Sequence, residues 1–360
     1  MDKHLKWVLC LTDNRLCAPF VVDKDQDYYD HLKSIFNIII DDAKKNHADA
    51  VSINIIDKYK KKILEAIRCA YKGEISKSHC IIKNLIKDAA HNPLAVSDLY
   101  NSSAFYGESE QEIQFFRARG TGDSNLDTPK DMLHLPFSKR SKTGSYRFSI
   151  PGVPSLYLGN TSYDCWLELE RPSDYNFTVS PVIVDSTMKI LNLAVNNRDF
   201  IRLNEFCADK VHYWLKLLIL MIATSFRVKE QNRIFHSEYI ISQSIMLACK
   251  ELGLDGIAYY SKRVDNQSFA QSAINLALFA QYNHRQEYSN VCNRIKVGKP
   301  FNYAWFKQLG FENTNSDYDL RCLKTGLINN VGNYDAQFSY SGTEFCRLLE
   351  PGGNRHLGLI

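Results

Sequence analysis

The sequence predicts an α+β protein, and three observations carry that expectation. Apolar side chains in the first hundred residues recur at helical spacing. From Ile113 onward, short runs rich in β-branched and aromatic residues take over, separated by turns and single helices. The strands and helices are segregated, without the regular βαβ alternation of a doubly wound sheet.

Taken in order, Leu32, Ile35, Phe36 and Ile39 form one i, i+3, i+4, i+7 stripe, and Ile56, Ile63, Ile67 and Ala70 form another. Gly73 stands where the second helix needs a C-terminal cap. Lys58 and Lys60 to Lys62 fall mostly off that stripe, as a solvated face does. The polar stretch Asn101–Glu110 reads as a domain boundary. Beyond it, Ile113–Ala118, Ser155–Leu158, Thr178–Val184 and Lys189–Leu193 read as strands. Thr161 or Ser162 can cap a helix carrying Trp166 and Glu168. A longer helix is expected near Ser237–Glu251, ended by Gly253, with a strand at Gly256–Tyr260. Ala273–Ala280 reads as a buried strand and the last of its domain. The expected organisation is a helical region over 1–104, a catalytic domain over 105–282, and an extension over 283–360 packed on that domain.

Composition narrows the function. The chain has 360 residues, 45% apolar and 23% charged, with a net charge of +4. That balance is ordinary for a globular protein and gives no basic stripe of the kind nucleic-acid binders use. None of the ten cysteines forms a C-x-x-C pair, and no histidines stand at zinc-ligand spacing, so no metal is expected. The N-terminal apolar run is too short for a secretory signal and Leu215–Ala223 is too short to span a bilayer, so a soluble, cytoplasmic protein with reduced thiols is expected. There is no P-loop, HExxH or GxSxG, and Gly120-Thr-Gly122 lacks the rest of a dinucleotide fingerprint.

Chemistry concentrates in three segments: FFRAR at Phe115–Arg119, GSYRFSIPGVPSLYLGNTSYDCWLELERP at Gly144–Pro172, and GLDGIAYYS at Gly253–Ser261. Arg117 lies in an apolar-aromatic strand, where a charge must find a partner. A guanidinium fork there suits either an internal ion pair or paired phosphate oxygens. Glu168 and Glu170 might suggest a carboxylate pair, but two residues apart on a helix they are rotated by about 200°. Only one is expected to enter a given cavity. Ser261 ends a strand, and no His–Asp arrangement is evident to make it a nucleophile.

With Arg117, Glu168 and Ser261 in that order, the chain resembles the RES domain family over roughly Phe115 to Tyr282. The resemblance implies a fold similar to ADP-ribosyltransferases, with a split β core and a cleft for NAD. It implies NAD as substrate rather than cofactor, and cleavage of the nicotinamide–ribose bond by water or phosphate. Glu168 would act on the ribose, Arg117 and Arg147 on the phosphates or ribose, and Tyr157 on the nicotinamide face, while Ser261 would orient the glutamate. Tyr239 and Gln243 resemble a family helix pattern in which Ser242 replaces a proline, and they are expected to be structural support. The family further implies a toxin with an Xre-type antitoxin as partner, and no nucleic acid or membrane. The alternatives are an ADP-ribosyltransferase acting on a protein, with the aromatic tail from Tyr303 to Phe345 as its docking surface, and a non-catalytic NAD or ADP-ribose binding module.

Overall fold

In the computed structural model of the chain, the described residues are 19–22, 27–105, 112–121, 126–194, 208–228, 233–263 and 273–304. A two-residue strand, β1 (Phe20–Val21), precedes three helices: α1 (Tyr28–Lys45), α2 (Ala50–Tyr71) and α3 (Ile75–Ala90). The side chains of Asp27 and Asp49 cap α1 and α2 by accepting from the amides of Tyr29 and Ser52. Gly73 follows α2 at φ +78°, the left-handed conformation that ends a helix at least cost in a residue without a side chain. Both expected apolar stripes point inward: Leu32, Phe36, Ile39, Ile56, Ile63 and Ile67 are fully buried. The lysines off the stripe are solvated, and Lys61 and Lys62 pair with Asp57 and Glu65 on their own helix.

The chain then forms β2 (Val96–Asp98), β3 (Glu112–Gly120), β4 (Ser155–Gly159), α4 (Ser162–Glu168), β5 (Phe177–Asp185) and β6 (Lys189–Leu193). It continues through α5 (Ala208–Ala223), β7 (Phe226–Arg227), α6 (Ile240–Glu251), β8 (Gly256–Tyr260), β9 (Ile274–Phe279), β10 (Ile295–Val297) and β11 (Phe301–Asn302). Among the described residues the strands make a nine-stranded sheet in the order β10-β5-β3-β4-β9-β8-β6-β2, with β11 also on β5. Only β6 and β8 pair in parallel within it, and β1 and β7 form a separate parallel pair.

The segregated α+β architecture agrees with the sequence, but β9 is not the last strand. Two short strands beyond Tyr282 extend the edge at β5. At two and three residues they carry too little alternation to be read. The apolar run at Leu215–Ala223 belongs to α5, whose Trp214, Leu215, Leu217, Ile219, Leu220 and Ala223 are all buried. A helix apolar on every side is one enclosed by others. It packs with α1, α2, α3 and α6 in one continuous core that reaches β6, β8 and β9. No described helix is long and apolar enough to cross a membrane. Cys69, Cys80, Cys165, Cys249 and Cys292 are free thiols, and the other five cysteines lie outside the described residues. So do half of the polar boundary, from 106 to 110, and the aromatic tail from 305 onward.

One joint in the sheet is thin. β3 pairs with β5 along its whole length but meets β4 only at Phe116 and Gly159. The split β core is this seam: the half carrying β3, β5 and the edge strands parts from the half carrying β4, β9 and β8.

Because the N-terminal helices share their core with α5 and α6, they should unfold with the rest. Ile63→Ala on α2 and Ile245→Ala on α6 should each lower stability by about 2–5 kcal/mol in one common transition. Denaturant unfolding followed by two probes checks this, and separate transitions for the two variants would contradict a shared core.

Candidate functional site

At the seam lies a cavity of about 700 Å³, a size that suits a small-molecule ligand. Arg117 lines it from β3. Its Nη1 donates to the Tyr157 carbonyl on β4 at 2.9 Å, while its Nε is buried without a partner. Burial, and then the neighbouring Arg119, lower its pKa to about 10, which leaves it charged at neutral pH. A buried cation with spare donors on a cavity wall favours an anionic occupant.

Arg147 lines the cavity from the loop before β4. Its Nη2 donates to the Phe226 carbonyl at 2.6 Å and its Nη1 to the Thr224 carbonyl, with the guanidinium 5.5 Å over the Tyr239 ring. Two of its five N–H groups are thus spent on the main chain, and three remain. Gln243 holds the same loop, reaching Ser145 Oγ and the carbonyls of Tyr146 and Ser149 at 2.9–3.1 Å. Tyr239 and Gln243 are therefore the support that the sequence suggested. Tyr157 also lines the cavity, but its hydroxyl is tied to the loop: it accepts from the Phe148 amide at 3.1 Å and shares a hydrogen bond with Ser149 Oγ at 2.9 Å. Burial raises its phenol pKa above the ordinary value.

Glu168 is the last residue of α4. Thr161 caps that helix, accepting from the Asp164 amide at 3.0 Å. Gly159 lets the helix lie close on the seam, since a Cβ there would stand 2.8 Å from Cys165 Sγ and 3.0 Å from the Thr161 carbonyl. The Cys165 thiol in turn donates to the Phe116 carbonyl at 3.2 Å. With the helix so placed, Glu168 Oε1 accepts from Ser261 Oγ at 2.6 Å and from Asn275 Nδ2 at 2.7 Å. No hydrogen bond from a described residue reaches Oε2. Ser261 and Glu168 are thus brought into direct contact, and Arg117 shares the cavity without bonding to either residue.

The two glutamates need a correction. Glu170 is not on the helix: the chain leaves it at Leu169, and Glu170 and Arg171 take φ of +64° and +59°. Glu170 borders the cavity as well. Its carboxylate is engaged by Arg263 Nη2 at 2.7 Å and is half-exposed.

The sequence reading missed three residues. Arg119 lines the cavity, two residues from Arg117 and so on the same strand face, a signal legible from alternation. Asn275 was legible as the one polar side chain in the apolar strand INLALF. Lys262, buried in the cavity wall, had no signal, because a Lys-Arg pair after a strand usually marks solvated surface. Among the described residues, no cluster of His, Cys, Asp and Glu could hold a metal ion.

A family model described as the RES domain matches residues 116–305, more than half of the chain. A protein of Bacillus subtilis (strain 168) named "Putative toxin YopC" is 36% identical over 182 residues, covering 47% of this chain and 40% of its own. The chain therefore spans about two fifths of that relative's length. A solved structure, described as the crystal structure of the M. tuberculosis MbcT–MbcA toxin–antitoxin complex, covers 63% of this chain and 96% of its own at 12% identity, with a TM-score of 0.34. That likeness is too remote to carry an argument.

One group beneath the site gives a test of its electrostatics. Asp164 is fully buried one turn before Glu168, and neither carboxyl oxygen has a hydrogen-bond partner. Burial pushes its pKa to about 7, Thr161 pulls it back in part, and the Glu168 charge adds to the rise. The folded state therefore keeps this proton longer than the unfolded chain does. Its contribution to stability is present at low pH and is lost as pH rises from the unfolded value, about 4, to about 7. Asp164→Asn, which does not ionise, should gain on the wild type across that window by up to about 1.4 kcal/mol per pH unit, then run parallel above it. Denaturant unfolding from pH 4 to 8 measures this, and parallel curves throughout would refute a buried neutral Asp164.

Proposed function

The chain belongs to the RES domain family, and from that premise we propose that it is an enzyme cleaving the nicotinamide–ribose bond of NAD. The observation that carries the proposal is the setting of Glu168. Its Oε1 is fixed by Ser261 and Asn275, and the residue opens on a cavity with buried cations on its wall. Cleavage of that bond sends the electron pair to the nicotinamide nitrogen, which becomes neutral and leaves without a general acid. The ribose passes through an oxocarbenium-like state, and the carboxylate stabilises the positive charge that develops there. Arg117 and Arg147 would hold the two phosphates through their remaining N–H groups. Tyr157 would lie against the pyridinium, its ring fixed by the hydroxyl contacts to the loop.

Water as acceptor gives ADP-ribose, inorganic phosphate gives its phosphorylated counterpart, and a protein nucleophile gives an ADP-ribosylated protein. The hydrolytic or phosphorolytic reaction is the one proposed. A role as a toxin, held in check by an Xre-type antitoxin over the cleft, belongs to the same proposal. It draws support from the family and from the name of the Bacillus relative. Incubating the protein with NAD, with and without phosphate, and identifying the products separates the three acceptors. Intact NAD under all conditions would overturn the reading.

Glu168→Gln should lower NAD turnover by about 100- to 1,000-fold, since the amide keeps the shape and loses the charge. Glu170→Gln, which breaks only a half-exposed pair with Arg263, should change turnover little. Wild-type turnover in Glu168→Gln would remove the proposed role. Arg117→Ala should weaken ADP-ribose by roughly tenfold or more and leave nicotinamide unaffected, as calorimetric titration in the Glu168→Gln background would show.

A further inference from the structure

Lys262 is the least expected group in the cavity wall. It is buried, and among the described residues it makes no ion pair. Its one hydrogen bond runs from Nζ to Ser225 Oγ at 2.9 Å, and the ammonium lies 5.9 Å over the Tyr260 ring. An ammonium carries three donors, and one of them has a partner among the described residues. Residues kept for packing alone rarely take this form, because an unpaired buried charge is costly and an apolar side chain of the same length would serve better.

Its partner is informative. Ser225 lies between Thr224 and Phe226, the two residues whose carbonyls hold Arg147. One three-residue turn after α5 therefore anchors two cations of the same cavity. We propose that Lys262 is a substrate-binding residue which, with Arg147, forms an anion subsite for the phosphates of a dinucleotide, hung on the turn Thr224–Phe226. The proposal rests on the NAD reading above and adds a residue and an anchoring device to it.

The turn is set from its other side by the N-terminal region. The Phe20 amide donates to the Ser225 carbonyl at 2.9 Å, and Tyr28 Oη donates to the Ala223 carbonyl at 2.6 Å. The Phe226 ring packs against Phe20 at 5.3 Å and edge-on against Tyr28 at 4.9 Å. The N-terminal strand and first helix thereby position both cations without touching the cavity. Electrostatics agree with the geometry. Burial first, and then Arg147 from the facing loop, hold the Lys262 pKa well below its ordinary value, and Glu168 on α4 offsets them in part. A phosphate entering beside both cations would relieve the repulsion and supply acceptors.

The test is calorimetric titration of Lys262→Met in the Glu168→Gln background with ADP-ribose, which keeps the phosphates, and nicotinamide riboside, which lacks them. ADP-ribose should bind roughly tenfold or more weakly and nicotinamide riboside equally well. The melting temperature of the free protein should hold or rise, because methionine removes a buried amine with one hydrogen bond among the described residues. Ser225→Ala, which cuts the one hydrogen bond Lys262 makes among the described residues, should weaken ADP-ribose to a lesser degree and in the same selective way. Unchanged ADP-ribose affinity in a folded Lys262→Met would overturn the inference and leave the NAD reading intact. Equal losses for both ligands with a lowered melting temperature would reassign Lys262 to structure, as would a Lys262→Met that does not fold beside a Ser225→Ala that binds normally. A parent protein that binds no ADP-ribose would overturn the NAD reading and this inference together.

Discussion

The site depends on a sheet that does not close. β3 and β4 share a single ladder pair, Phe116 with Gly159, where a regular antiparallel pair would exchange hydrogen bonds along its length. Backbone groups released from a ladder must find other partners. At this seam the Tyr157 carbonyl takes the Arg117 guanidinium, and the Phe116 carbonyl takes the Cys165 thiol. The same two contacts serve the cavity. Arg117 is held on its wall, and Cys165 fixes the short helix that ends in Glu168. Opening the sheet and furnishing the site are one structural event, so substitutions at these positions act on stability and on binding together.

The two charge types are anchored on two scaffolds that meet where Lys262 follows Ser261. The carboxylate of Glu168 is oriented by the adjacent strands β8 and β9, through Ser261 and Asn275. Arg117 comes from β3, while Arg147, from the loop before β4, and Lys262, the residue after Ser261, are anchored on the turn after α5. The N-terminal helices belong to the second scaffold through Tyr28 and Phe226.

Periodicity made most of the fold legible. β6 and β8 lie where the sequence places them, and Thr161, Gly73 and Gly253 perform the capping that their chemistry suggests. β1, β10 and β11 escaped because two or three residues carry no alternation, and their pairing is decided by distant partners. The contact between Ser261 and Glu168 bridges 93 positions, so no local pattern encodes it. It was legible only through a resemblance that names both residues. Glu170 was misread because helical geometry was extended two residues past Glu168, beyond the cap Leu169 into a left-handed turn. Lys262 shows the opposite limit, since exposure is a property of the fold and a lysine is read by default as solvated.

The balance of charge in the cavity bears on why so much apolar structure surrounds it. Arg117, Arg147 and Lys262 sit in or against its wall, while among the carboxylates there Glu170 is already spent on Arg263. Gathering like charges away from water destabilises the empty protein. A ligand that supplies the missing anions recovers that cost on binding, adding stability as its concentration exceeds Kd. The empty fold must therefore be stable enough without it, and the core joining α1, α2, α3, α5 and α6 provides that reserve. On this argument the N-terminal helices have two connected tasks. They set the turn that carries the cations, and their burial offsets the strain of holding those cations together.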